Sequence, residues 1–231
     1  MAQKINPTGL RLGNLRLWNS DLQIYGKSMN LYSHSLFRRL MLEHYVRKAL
    51  FTKNLLLNSL RWKSNRLKSI LDVHYSTLLI PESMWSRDSM SNTLSFIAEH
   101  LTEKIELKLR KKLLSCPSTD LIATHVSRSL DNDLPPKKIV LDVAKVLNLR
   151  SGKLFHSKNG VLRFELKGFK IRLSGRFDNS KTQMAKVFQY SKGHLPLTTL
   201  DSYVEYSNED VFTKSGVCGL KIWLFYEPDK K

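Results

Sequence analysis

All ten glycines of this chain lie toward its two ends, and none falls between Gly26 and Gly152. Glycine supplies the positions where a backbone must turn at positive φ or approach another backbone closely. Here such positions cluster in a short N-terminal arm and in the final third.

Charge decides the class of partner. The 231 residues carry 38 Lys+Arg against 20 Asp+Glu, a formal +18. Such an excess opposes compaction unless a polyanion neutralises it. Nucleic acid is the first candidate and an anionic membrane surface the second. Hydrophobic residues at 42% and aromatics at 10% are interleaved with the basic ones almost throughout, so the basic surface belongs to folded elements and not to a tail. The length suits one large domain or two small ones.

Several function classes are disfavoured. Cys116 and Cys218 stand far apart with no C-x-x-C spacing, so neither a disulfide framework nor a zinc site is expected. No apolar run reaches the roughly 20 residues of a membrane span, and the N-terminus reads as mature protein, unlike a secretory or transit signal. There is no G-x-S-x-G, H-E-x-x-H, Walker loop or dinucleotide fingerprint, and the seven histidines are scattered singly. An enzyme is not expected.

Met1–Ser20 has no clear periodicity and reads as an irregular basic arm. Leu36–Phe51 predicts a helix with a core face of Leu36, Phe37, Leu40, Met41, Tyr45, Val46, Ala49 and Leu50. Leu55–Trp62 and Leu67–Tyr75 predict strands. Leu94–Leu114 predicts a long helix with Leu94, Ile97, Leu101, Ile105 and Leu109 on one stripe. Ser118 caps a shorter helix to Leu130, and Pro135-Pro136 opens another. Beyond it lie strand candidates at Val161–Leu166, Phe169–Ser174, Ser202–Tyr206 and Gly219–Tyr226. The last is apolar on both faces apart from Lys221 and predicts an inner strand. The sum is an α+β protein with a boundary near Cys116–Asp120. Gly216-Val217-Cys218-Gly219 has the G-x-x-G spelling of a KH nucleic-acid clamp, yet it runs straight into a strand and predicts a tight strand connection.

Both ends carry longer motifs. Ala2-Gln3-Lys4-Ile5-Asn6-Pro7-Thr8-Gly9-Leu10-Arg11-Leu12-Gly13, followed by Trp18-Asn19-Ser20, resembles the opening of the small-ribosomal-subunit protein three family, universal uS-three. Ser174-Gly175-Arg176 resembles its S-G-R. Tyr190 to Leu200 resembles its Y-x-x-G-x-x-P-L-x-T-L segment, and Thr213 to Phe225 its T-x-x-G-x-x-G-x-K-x-W-x-F ending. The resemblance implies an arm over residues 1–30, a degenerate type II KH-like domain over 31–118, and a C-terminal α+β domain over 119–231. In the last, helices would pack on a mixed or antiparallel sheet, with an inserted hairpin near 150–163. The KH clamp should fall near Leu78–Arg87, where no glycine stands, so clamping of that kind is not expected.

The resemblance further implies a structural constituent of the small subunit, binding rRNA in the head through Gln3, Lys4, Arg11, Arg16, Lys167, Lys170, Arg172 and Arg176. Lys137 and Lys138 would help line the channel by which mRNA enters. Magnesium would be held only through rRNA, with no other cofactor or metal. Neighbours would be proteins of families ten, fourteen, four and five, with no membrane and no homo-oligomer. The missing clamp points to a mitochondrial, organelle-encoded member, with a plastid or bacterial origin as runner-up. A free RNA-binding or processing factor is the alternative.

Overall fold

A computed structural model of the chain describes residues 5–13, 29–52, 55–64, 69–76, 105–111, 118–148, 153–157, 160–177, 184–200 and 202–228. Contacts divide the chain into two units, Asn19–Leu114 and a second made of Met1–Trp18 with Ser115–Lys231. The first residues, read from sequence as a separate arm, thus group with the C-terminal unit.

The Asn19–Leu114 unit places helix α2 (Met29–Thr52) with a three-stranded sheet of β1 (Leu56–Ser64), β2 (Ser69–Ser76) and β3 (Ile105–Lys111). β1 and β2 form an antiparallel pair, whereas β3 runs parallel to β2. Leu42, Val46 and Leu50 of α2 share a core with Leu55, Leu57, Trp62, Leu71 and Val73. This corrects the expected core face. Phe37, Leu40, Met41 and Tyr45 are exposed, while Arg39 turns inward with its guanidinium 5.1 Å from the Trp62 ring. Apolar residues lie all round this helix, so periodicity alone does not choose between its sides.

The expected helix Leu94–Leu114 is also corrected. Ile105–Lys111 is a strand, and residues 94–104 fall outside the described set, as do Leu78–Arg87. Ile105, Leu107 and Leu109 alternate with Glu106, Lys108 and Arg110, a period of two. Ile105 and Leu109 satisfy a helical stripe equally well, and pairing with β2 decides between them.

The larger unit begins with α1 (Pro7–Arg11), capped by Asn6, whose side chain accepts a hydrogen bond from the Thr8 amide at 3.0 Å. α3 (Thr119–Asp131) is capped by Ser118 as expected, and α4 (Pro136–Asn148) starts with its proline. Five strands follow: β4 (Lys153–Ser157), β5 (Gly160–Gly175), β6 (Lys186–Gly193), β7 (Tyr203–Thr213) and β8 (Gly216–Pro228). The order is β4-β5-β8-β7, with β6 also on β5, and every pair is antiparallel. β8 is an inner strand, as its composition predicts. A hairpin of β4 and β5 stands where an inserted one is expected.

Two strand expectations change. Val161–Leu166 and Phe169–Ser174 belong to one strand, β5, with a bulge between Leu166 and Gly168. The sequence reading has no strand at β6, whose exposed edge carries little apolar pattern. Gly168 pairs with Gly193 at the C-terminal end of β6. A Cβ on Gly168 would stand 2.1 Å from the His194 carbonyl oxygen, and Gly193 has φ +75°. Only glycine lets these two backbones touch there. Gly216 ends the two-residue turn between β7 and β8, so the G-x-x-G spelling belongs to a hairpin, as expected.

One face of the sheet carries Phe169, Ile171, Leu173, Leu220, Ile222 and Leu224, packed with Ile122, Val126, Ile139, Val143 and Leu147 of α3 and α4. Each such side chain stabilises by about 1.5–3 kcal/mol on burial. His125 of α3 is half-buried here. Burial, and then Arg128, lower its pKa from the ordinary 6.5, partly opposed by Asp142. The unfolded chain therefore takes up the proton first, and the stability contributed by neutral His125 is complete above 6.5 and falls as pH drops through it. Urea unfolding at about pH 7 and about pH 5 should show the loss, reduced in His125→Gln. Equal pH dependence in the two proteins would contradict this.

Candidate nucleic-acid interface

Side chains alternate across a strand, so the residues between those core positions share the opposite face of the sheet. On β5 these are Lys170 and Arg172, on β8 Lys221 and Trp223, and on β7 Tyr206 and Asn208. Register aligns them in two rows. Lys170 lies opposite Trp223, which lies opposite Tyr206; Arg172 lies opposite Lys221, which lies opposite Asn208. The Lys170 ammonium sits 5.8 Å from the Trp223 ring centroid, and the Tyr206 and Trp223 rings are 5.3 Å apart. Burial raises the Tyr206 pKa, so the phenol stays neutral at physiological pH.

Walls rise on this floor from two segments. Ile5, Asn6 and Pro7 form one, Leu195 and Leu197 another, and together they enclose a groove of about 940 Å³. Arg11 holds both walls. Its Nε donates to the Ser202 carbonyl at 2.6 Å, Nη1 to Pro7 O at 3.0 Å, and Nη2 to Thr199 O at 2.7 Å and Ser202 Oγ at 3.0 Å. Longer bonds reach the carbonyls of Pro196 and Leu197. A guanidinium fork suits this ring of carbonyls, where an ammonium would not span it.

Three cations and two aromatic rings thus line the groove, and no carboxylate does. Asp210 is next along the same face of β7 but stands outside the lining. Arg172 and Lys221, directly opposite one another, repel until an anion lies between them. Among the described residues no cluster of three or more His, Cys, Asp or Glu could hold a metal.

The residues expected from sequence separate. Lys170 and Arg172 line the groove. Lys167 is exposed at the bulge, 3.2 Å from Glu165. Arg176 follows β5, half-buried, its carbonyl accepting from Ser215 Oγ at 2.6 Å. Arg11 is corrected: it is 1% exposed with its donors committed to carbonyls, so it is a structural residue unable to reach phosphate. Gln3, Lys4 and Arg16 lie outside the described residues. Lys137 and Lys138 are exposed on the first turn of α4, the helix layer of the sheet, away from the groove. Sequence reading missed Lys221, Trp223, Tyr206 and Asn208 as site residues. Their signal is a polar or aromatic pair at i and i+2 on each of three strands, alternating with apolar residues on β5 and β8.

Residues 153–224 match the family model of the C-terminal domain of ribosomal protein S3. Along its whole length the chain is 37% identical to small ribosomal subunit protein uS3m of Chondrus crispus, covering 96% of that protein. The chain belongs to the uS3 family. It is a divergent mitochondrial member. Identity is 25% to uS3 of Onion yellows phytoplasma, over 98% of this chain and 82% of that protein. It is 23% to uS3c of Angiopteris evecta, over 99% of this chain and all of that protein. The motif blocks that mark this uS3 chain meet around the groove: the opening block supplies Asn6, Pro7 and Arg11, the middle block Leu195 to Thr199, and the closing block Lys221 and Trp223.

Proposed function

We propose that this uS3 family member is a structural component of the small subunit of a mitochondrial ribosome and that its sheet groove binds rRNA. The groove of Lys170, Arg172 and Lys221, free of lining carboxylates, carries the reading. Phosphates neutralise such a cluster and release counterions, so affinity falls steeply with salt. Lys167 and Arg176 extend the basic surface from either end of the same stretch of β5. The rRNA supplies the magnesium, and families ten, fourteen, four and five supply the protein neighbours. The Asn19–Leu114 unit serves as a KH-like scaffold whose clamp segment lacks glycine. Lys137 and Lys138, displayed on the first turn of α4, face the channel by which mRNA enters.

Sedimentation of tagged full-length protein through a magnesium-containing gradient tests the first claim. Co-migration with small subunits is expected; protein left at the top beside intact ribosomes overturns it and favours a free RNA-binding factor. Lys137→Ala with Lys138→Ala should slow translation of structured mRNA, and an unchanged rate removes the channel role.

A further inference from the structure

We propose that the groove takes an unpaired nucleotide of RNA, its base against the Tyr206 and Trp223 rings and its flanking phosphates on Arg172 and Lys221. This rests on the rRNA reading above and adds which element of RNA the groove accepts. The floor has two parts of different chemistry, set one residue pair apart by the register. One row ends in two aromatic rings 5.3 Å apart, with Lys170 fixed over the Trp223 ring. The other row sets the two unlike residues Arg172 and Lys221 side by side as like charges. A bare phosphate would satisfy only the second row. A duplex would satisfy it too, but its bases are stacked inside and present no free π-face to a protein ring. An extruded or single-stranded nucleotide satisfies both rows at once, because base and phosphate are separate ends of one unit.

Shape agrees with this choice. The groove is concave, about 940 Å³, near the upper end of the range for sites that enclose small ligands. Its walls of Ile5, Pro7, Leu195 and Leu197 are apolar and suit the body of a base, which a duplex held by its phosphates would not present to them. Tyr206 is half-buried and carries the accessible ring face; Trp223, 9% exposed, backs it. Asn208 stands in the charged row beside Lys221, where its amide can meet a base edge.

Fluorescence anisotropy on the purified full chain provides the test, with an oligouridylate of about 12 nucleotides and an RNA duplex of about 12 base pairs, within the span such grooves cover. Tyr206→Ala should weaken oligouridylate binding about tenfold and leave duplex binding unchanged. Tyr206→Phe should bind both as the parent does, since the ring remains. Arg172→Gln with Lys221→Gln should weaken both RNAs. If Tyr206→Ala binds oligouridylate as tightly as the parent, or loses duplex affinity in parallel, the nucleotide pocket is overturned. In that event the rRNA groove itself still stands if the charge variant weakens binding, and falls with it if the charge variant does not.

Discussion

Replacing Arg11 with alanine is expected to cost the C-terminal unit about 3 kcal/mol or more of unfolding free energy. The side chain is 1% exposed, and its bonds run from Pro7 in its own helix to the carbonyls of Thr199 and Ser202 nearly 190 residues along the chain, with 191 separating the farthest pair. Alanine leaves those carbonyls facing a void. Each buried acceptor stripped of its donor costs about 1–3 kcal/mol, and bonds from a charged donor lie at the stronger end. Unlike an exposed ion pair, this arrangement is shielded from salt. Arg11→Lys should recover less than half the loss, because one ammonium cannot span carbonyls arranged for a planar fork. Urea unfolding of the full chain checks both variants. A loss below about 0.5 kcal/mol for alanine would show that the walls stay in place without the guanidinium. Destabilisation should also reach the groove, since Asn6 and Pro7 form one of its walls.

Neutralising Lys170, Arg172 and Lys221 together with glutamine is expected to lower RNA affinity by about a hundredfold near 0.1 M salt. Each phosphate contact contributes roughly 0.7–0.9 to the slope of log affinity against log salt, so losing the contacts at Arg172 and Lys221 should flatten that slope by about 1.5, and by more if Lys170 also meets a phosphate. Net charge alone would act more weakly. Glutamine at Lys145, Lys192 and Lys214, exposed cations outside the groove, removes the same charge and should lower affinity by less than about tenfold. Salt titrations of the two triple variants decide the matter. Equal losses would mean that the protein attracts RNA by its overall field and that the groove has no special part.

Local features were legible in the sequence wherever a short stretch contains its own physics. Ser118 caps α3 and Pro136 opens α4 because both acts involve only neighbouring backbone groups. β8 was recognisable as an inner strand from an apolar run interrupted only by Lys221. Ile105–Lys111 was not, because a seven-residue stretch with apolar residues at every second position also fits part of a helical stripe. β6 was missed because only two alternate side chains, Phe188 and Tyr190, pack inward, an apolar pattern too short to stand out before pairing with β5 is seen. On α2, apolar residues on both sides left the inward face undecided until Leu55, Leu57, Trp62, Leu71 and Val73 were placed against it.

The basic excess, the glycines gathered at the two ends and the motif blocks around them were settled by the sequence itself, and they suffice for the α+β class and for the uS3 family. Which cations open into the groove was decided only by the tertiary structure. Arg11 and Lys221 are equally basic in the sequence, yet one is closed over by carbonyls from Pro196 to Ser202 and the other opens into the groove. Alternation along a strand states that residues share a face, and leaves open which face is covered. Burial is settled by segments far apart in the chain, and here the terminal glycine-bearing blocks close on each other to settle it.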